Sequence, residues 1–236
     1  MNKISIVHYC WFGNKKIPNK NIKYIKKWKK FFKDCKFKKW DETNFNYEDF
    51  LYSKEAYKAN KMAFVSDVAR IYALYNEGGF YLDTDVEVIK SIDNFDFSKA
   101  ILGVESVKDN TIGTGFMYFQ PHDELLYEIL QFYKNEKFIN EDGTFNIIPN
   151  THFMSRFLLK KYNIKPNEEI QISNSFVLYP FDYFTCFDSI KNCYIITDNT
   201  HCIHHFNASW MPLKNRVKGR ISRYIKRIKY CLMGNK

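Results

Sequence analysis

Two aspartates two residues apart, Asp83 and Asp85, are the positions in this 236-residue chain best suited to chemistry. They fall in Phe80–Ile89, where Phe80, Leu82, Thr84, Val86 and Val88 alternate with Tyr81, Asp83, Asp85 and Glu87. That period of two is the pattern of a strand. On such a strand both carboxylates leave one face, about 7 Å apart at the backbone. Like charges so close raise each other's pKa unless a cation compensates them. Mg2+ and Mn2+ take carboxylate oxygen, and commonly use one or two protein carboxylates plus substrate phosphates. The pair therefore reads as a platform for a divalent metal and a diphosphate. A bare D-x-D also fits a solvated strand end. The preceding helix and Gly-Gly turn favour the platform, because ligands of α/β sheets gather at such strand ends. Asp67 and Arg70 stand at i and i+3 on that helix and share a face. Half buried beside Val68 and Ala69, Arg70 would offer a rigid fork to phosphate or sugar hydroxyls. An ordinary exposed ion pair is the plainer alternative.

The elements that must position these residues are legible around them. Val65, Val68, Ala69, Tyr72 and Tyr75 form the apolar stripe of a helix, and Asn76-Glu77-Gly78-Gly79 is its stop signal. Upstream, Lys3–Tyr9 reads as a first strand ending in the aromatic turn Cys10-Trp11-Phe12-Gly13. Ile17, Ile22, Ile25, Trp28 and Phe32 then recur at helical spacing, with lysines on the other face. A short strand at Phe37–Trp40, a polar loop over 41–46 and a helix over 47–60 follow. This order predicts an α/β sandwich with a largely parallel central sheet. Gly113-Thr114-Gly115 reads as a loop before Phe116–Phe119, shaping a pocket or simply turning into a strand. Thr151, in Pro149-Asn150-Thr151-His152, reads as a helix N-cap. No repeat, low-complexity tract or linker interrupts residues 1–213, which we read as one domain followed by a tail, 214–236.

Composition excludes several classes. With 45% hydrophobic residues, 22 Phe and 17 Tyr, the chain is neither disordered nor collagen-like nor a coiled coil. Nine Gly and six Pro are too few for a turn-dense sandwich. The six cysteines form no C-x-x-C and no zinc spacing, which predicts free thiols in a reducing compartment. No signal peptide is visible, and no apolar run nears the roughly 20 residues of a membrane span. The net charge of +10 is unevenly placed. Residues 1–40 hold 13 Lys and one Asp; residues 41–213 hold 14 basic and 25 acidic residues; residues 214–236 hold nine basic residues and no acid. An acidic centre between basic ends argues against a nucleic-acid binder, whose positive charge surrounds its site. In the tail, Val217, Ile221, Tyr224, Ile225, Ile228, Cys231 and Leu232 make one helical stripe. Such a basic amphipathic helix can lie in an anionic membrane interface, each Lys or Arg contributing about 1 kcal/mol. Packing on its own domain or on a partner is the alternative.

The motif Ser66-Asp67-x-x-Arg70…Leu74-x-x-x-Gly78-Gly79-x-Tyr81-x-Asp83-x-Asp85 resembles the signature of a D-x-D glycosyltransferase family. That family includes initiation mannosyltransferases and capsular-polysaccharide enzymes, and shares its core with glucosylating domains of clostridial toxins. Ile6-Val7-His8-Tyr9-Cys10-Trp11-Phe12-Gly13 and His204-His205-Phe206-Asn207-Ala208-Ser209-Trp210 agree with it near the two ends. The resemblance implies a GT-A fold, with a Rossmann-like mixed central sheet flanked by helices and here a C-terminal basic amphipathic helix. It implies a nucleotide-sugar donor (UDP-sugar preferred), Mn2+ or Mg2+, and transfer of a hexose with retention of configuration. By the same resemblance Asp85 would bind the metal, and Asp83 the ribose or the metal's water shell. Asp67 and Arg70 would hold the donor sugar, Tyr81 would line the donor pocket and Trp11 would border the base. His205 would complete the metal shell, and Ser209 and Trp210 would cover the diphosphate. Ala208 stands where relatives carry Gly, which leaves His204 in competition with His205. The acceptor expected is a hydroxyl of a growing surface glycan, capsule or lipooligosaccharide, lipid-linked at the inner membrane face. The protein would then be cytoplasmic and peripheral, with no nucleic-acid partner. A non-catalytic sugar-binding protein on the same fold would lack one of Asp83, Asp85 or Arg70, and all are present. A two-metal nuclease is disfavoured by the acidic centre.

Overall fold

The computed structural model describes residues 6–188, 191–207 and 217–218. β1 (Ile6–Cys10) is followed by α1 (Asn19–Trp28), which buries Asn21, Tyr24 and Trp28 at i, i+3 and i+7 and turns its lysines outward. β2 (Lys36–Trp40) returns parallel to β1, with Ile6 opposite Lys36 and Cys10 opposite Trp40. The segment expected as one helix over 47–60 is a single 3-10 turn, Tyr47–Asp49, and then α2 (Leu51–Lys58). The two are separated at Phe50, whose backbone is extended.

α3 (Met62–Glu77) is the buried central helix, and the Gly-Gly signal ends it as expected. Gly78 and Gly79 take φ of +63° and +92°. A side chain on Gly79 would also meet Ile6 O at 2.5 Å, so only glycine passes here. β3 (Gly79–Leu82) then runs parallel to β1.

The long strand expected over 80–89 is broken. β3 stops at Leu82, residues 83–85 form a turn closed by Val86 N donating to Asp83 O at 2.9 Å, and β4 (Val86–Val88) leaves the main sheet. β5 (Ala100–Ser106) and β6 (Thr111–Phe119) form an antiparallel pair, and α4 (Glu124–Asn135) and α5 (Asn150–Tyr162) follow. Asp123 caps α4 through its carboxylate, whereas α5 starts after Pro149 with no side-chain cap. Thr151 is therefore inside α5 rather than capping it. The chain closes with β7 (Gln171–Ile172), β8 (Phe176–Tyr179), the short α6 (Phe181–Phe184), and β9 (Phe187–Asp188) paired with β10 (Cys193–Tyr194). Last comes β11 (Cys202–His204), which pairs with β4.

The main sheet has the order β2-β1-β3-β6-β5-β8-β7. It is mixed rather than largely parallel: β3–β6, β5–β6 and β7–β8 are antiparallel, and β1–β2, β1–β3 and β5–β8 parallel. Each strand feeds two cores by alternation. In β6, Met117 and Phe119 join α2, α3, α4 and α5 on one face, while Phe116 and Tyr118 join Trp28, Phe80, Val86 and Phe184 on the other. This is an α/β fold of the GT-A type, with helices on both faces of a mixed sheet. Among the described residues the cysteines are free thiols, and no helix is long and apolar enough to cross a membrane. The tail 214–236 lies outside the described residues, apart from 217 and 218.

Candidate active site

The turn after β3 creates the site. Because β1 and β3 run parallel, with Val7 opposite Phe80 and His8 opposite Tyr81, the ends of both strands reach one sheet edge. Asp83 still belongs to the ladder: its N–H donates to Gly115 O of β6 at 2.8 Å. Asp85 sits beyond it, where β4 pairs with β11 and brings His204 opposite Val86. His204 Nε2 lies 3.3 Å from Asp85 Oδ1 and 3.8 Å from Asp83 Oδ2. One donor atom each from Asp83, Asp85 and His204 fall within 4.8 Å of one another.

The pair is reached differently from the sequence expectation, by a turn rather than by one face of a strand. A second difference concerns the histidines. His204 meets the carboxylates; His205 does not, because its Nε2 is bonded to Glu87 Oε2 at 3.0 Å and its ring stacks on Tyr24. Alternation explains this. His205 falls on the Glu87 side of the β4–β11 ribbon, and the turn carries the Asp85 carboxylate away from that side to His204.

Each carboxylate is fixed. Asp83 accepts from Tyr81 OH at 2.9 Å and lies 3.3 Å from Arg70 Nη1. Arg70 also donates to Thr114 O at 3.0 Å and to Ser66 O, and pairs with Asp67 at 3.0 Å. Its guanidinium lies 4.8 Å over the Tyr81 ring. Asp85 Oδ2 accepts from Asn207 N at 2.8 Å, and Asp85 O accepts from His205 N. Asn207 and Thr84 both bond to the buried Asn21 of α1, which ties the turn to the opposite face of the sheet.

These contacts show how the residues expected at the site are held. Tyr81 is 1% exposed, and its hydroxyl donates to Asp83. Arg70 and Asp67, 6% and 8% exposed, pair with each other, and Arg70 also reaches Asp83. Trp11 follows β1 on the same sheet edge as Asp83, and its indole N–H donates to Lys15 O. Ser209 and Trp210 lie outside the described residues.

The structure corrects the expectation for one residue, Gly115, and adds another, Glu105, that the sequence reading passed over. Gly115 is not in a loop but inside β6, and a Cβ there would sit 2.8 Å from His204 Cε1 and 3.2 Å from Asp83 Oδ2. Its missing side chain is the space that His204 occupies. Glu105 of β5, a lone acid in an apolar run, faces the same charges. Its only signal in the sequence is that interruption.

The electrostatics follow from burial and crowding. Burial raises Asp67 to about 6 against the pull of Arg70. Burial also raises Glu105 to about 7, helped by Asp83 and opposed by His204 and Arg70. Burial alone would lower His204, but Asp85, by charge and hydrogen bond, and then Asp83 and Glu105 raise it to about 9. Burial alone would raise Asp85, but His204 and the Asn207 N–H bring it down to about 2. Cys10, beneath the cluster, is pushed up to about 12 by burial and stays a thiol.

A divalent cation fits this donor set. Two carboxylates and an imidazole converge, carboxylate oxygen suits both Mg2+ and Mn2+, and imidazole favours Mn2+. The raised His204 agrees, since the carboxylates demand a positive charge at that spot.

Residues 18–102 match a family model described as a glycosyltransferase sugar-binding region containing a DXD motif. The match covers well under half of the chain. It runs from the start of α1 into β5 and includes Asp67, Arg70, Asp83 and Asp85. Among solved structures, the chain is similar to the PaToxG glycosyltransferase at 20% identity and a TM-score of 0.51, over 67% of this chain and 70% of that one. It is also similar to a glycosyltransferase involved in the glycosylation of the major capsid of PBCV-1, at 11% identity and a TM-score of 0.46, over 91% and 98%. The PaToxG likeness is one of fold. A comparison with curated proteins gives no match.

Proposed function

We propose that this protein is a metal-dependent glycosyltransferase that moves a hexose from a nucleotide-sugar donor to a hydroxyl of a growing glycan, with retention of configuration. The observation that carries this reading is the convergence at the sheet edge of Asp83 and Asp85, both inside the region that matches the DXD family model, with His204 from β11. Asp83, Asp85 and His204 would hold Mn2+ or Mg2+, which supplies Lewis-acid neutralisation of charge developing on a diphosphate leaving group. The protein's own part is preorganisation. Tyr81 and Arg70 fix Asp83, Asn207 fixes Asp85, and Gly115 makes room for His204. A constellation held this way needs little rearrangement when substrate arrives. Trp11, at the same edge, is suited to border the nucleotide base, and a UDP-sugar is the donor we favour.

The reading is tested by Asp85→Ala. Turnover and metal-dependent donor binding should be lost, while circular dichroism and the melting profile stay near those of the parent. Normal turnover in this variant would end the assignment.

For the acceptor we favour a lipid-linked surface glycan, capsule or lipooligosaccharide, at an anionic membrane face. Residues 1–213 would form the catalytic unit and 214–236 a basic amphipathic anchor, giving a cytoplasmic, peripheral enzyme. Two features support an anionic surface as partner: the basic, acid-free tail and the exposed lysines of α1 and the turn after it, Lys20, Lys23, Lys26, Lys29, Lys30 and Lys33. Flotation with vesicles containing anionic lipid should recover the full chain and leave a 1–213 truncation behind. Equal recovery would remove the anchor.

A further inference from the structure

A cavity of about 510 Å³ lies between α5 and the turn joining β5 to β6, lined by Asp109, Asn110, His152, Ser155, Arg156 and Lys160, with Leu159 as its apolar wall. It is outside the Asp83–Asp85–His204 cluster, and none of its residues has a part in the site described above. Its wall on α5 is basic by design of spacing: His152, Arg156 and Lys160 recur every four residues, so they lie on one exposed helical face. Among the described residues no carboxylate pairs with Arg156 or Lys160. The adjacent Lys161, by contrast, is paired with both Glu124 and Glu128. Arg156 and Lys160 thus face the cavity without an ion-pair partner, with Asp109 as the one carboxylate of its lining.

The opposite wall is built from acceptors. Asp109 and Asn110 form the tip of the hairpin, with Asn110 in the left-handed region at φ +53°. The side-chain oxygens of Asn110 and Thr111 find no hydrogen-bond partner, although both are buried. Buried polar oxygens left without partners are uncommon in proteins, and these two single out the hairpin tip, where Asn110 lines the cavity. Cations on one side and hydrogen-bond acceptors on the other match a ligand that carries both an anionic group and hydroxyls.

The cavity is also connected to the site. β6 runs from Thr111 at the cavity to Thr114, whose carbonyl accepts from Arg70 and whose hydroxyl donates to Asn150 at 2.6 Å. Those three residues of strand span about 10 Å. α5 runs the opposite way, from Asn150 at the site to Ser155 at the cavity, whose hydroxyl accepts from Ile112 N. That is about 7.5 Å of helix. A disaccharide is long enough to reach from one to the other.

We propose that this cavity is an acceptor subsite for an acidic saccharide: Arg156 and Lys160 hold a carboxylate or phosphate, and Asp109 and Asn110 face the sugar hydroxyls. The proposal rests on the glycosyltransferase reading, and the test separates the two. Glucuronate, glucose 1-phosphate, methyl glucoside and inorganic phosphate are each titrated into the protein at low salt with EDTA present and followed by the protein's own amide NMR shifts. The proteins compared are the parent, the double variant Arg156→Ala/Lys160→Ala, and Asp85→Ala. Metal-dependent donor hydrolysis is measured on the same proteins without EDTA. The parent should bind the two acidic sugars at least tenfold tighter than methyl glucoside and tighter than inorganic phosphate. The double variant should lose that preference at least fivefold and keep donor hydrolysis, since neither residue touches the metal cluster. Asp85→Ala should lose hydrolysis and keep saccharide binding. Preference for glucuronate identifies a uronic-acid acceptor, and preference for glucose 1-phosphate a phosphosugar. Absent binding, equal binding by the double variant, or inorganic phosphate binding as tightly as the sugars overturns the subsite. Absent hydrolysis in the parent with saccharide binding intact overturns instead the reading on which it rests.

Discussion

Gly115→Ala adds one methyl group and tests whether the three-donor geometry governs metal binding. Gly115 lies in β6 beside Asp83, outside the left-handed region, so the backbone accepts alanine without strain. The strain enters through the side chain. The new Cβ would lie 2.8 Å from His204 Cε1, 2.9 Å from Nδ1 and 3.2 Å from Asp83 Oδ2. Carbon contacts relax at about 3.5 Å, so the imidazole must retreat by about 0.7 Å. It has little freedom to do so. Its ring is stacked on Phe206 at 4.1 Å between centroids, and Nε2 is held 3.3 Å from Asp85. Overpacking of this kind costs about 1–3 kcal/mol of stability. Disturbing the groups that orient metal ligands costs about 10–100-fold in affinity, or roughly 1.4–2.8 kcal/mol. Calorimetric titration with Mn2+ reads the affinity, and thermal melting without metal reads the stability. Gly113→Ala, two residues back on the same strand, is the control. There a Cβ has no contact nearer than 3.4 Å, an ordinary distance, so Mn2+ affinity should stay within about twofold. A folded Gly115→Ala protein that binds Mn2+ like the parent would refute the claim that His204 and Asp83 share a shaped site.

Two further outcomes follow from the same contacts. His204→Ala should reduce Mn2+ affinity by about 10–100-fold, whereas His205→Ala should leave it nearly unchanged and lose only the Glu87 and Tyr24 contacts; the same titration decides, and an equal loss in both would return His205 to the metal shell. Asp67, raised by burial to about 6 from an ordinary 3.8, keeps its proton longer in the folded chain than in the unfolded one. Its contribution to stability is therefore complete below pH 3.8 and is lost as pH rises towards 6, a swing on the order of 3 kcal/mol at 1.36 kcal/mol per pKa unit. Urea denaturation at pH 4, 5, 6 and 7 should show this slope in the parent and a flatter one in Asp67→Asn, and parallel slopes would count against it.

Much of the first half was legible in the chain because its signals are local. The apolar stripe of α3, the Gly78-Gly79 stop and the alternation through Phe80–Leu82 each depend on neighbours in sequence. The break at residues 83–85 was not legible, because Thr84 keeps the alternation going: it is 8% exposed and bonds to Asn21, as buried as a strand residue packed on a core. What ends the strand is not its own sequence but the pairing of Val86–Val88 with Cys202–His204, more than a hundred residues away. The same long-range pairing decides which histidine meets Asp85. Read as one continuous strand, Asp85 shares a side with Glu87, and His205 is then its natural partner. The turn breaks that phase, and only the fold reports it. Gly115 was hidden for a similar reason: a glycine inside a strand signals a close approach without naming what approaches.

The charges around the turn give one more argument that these residues act as a unit. Among the described residues, Asp67, Asp83, Asp85 and Glu105 are set against Arg70 and His204. The imbalance is borne by protonation: Asp67 and Glu105 are raised to about 6 and about 7, and His204 is held positive up to about 9. A divalent ion at the three donors must displace the His204 proton, because an imidazole that carries it has no lone pair to give. It would also lower Glu105, whose elevation owes part of its size to Asp83. Ion and proton therefore compete for one pool of negative charge. This is why a helix, two strands and a distant ribbon are all built to bring that charge to one edge of the sheet.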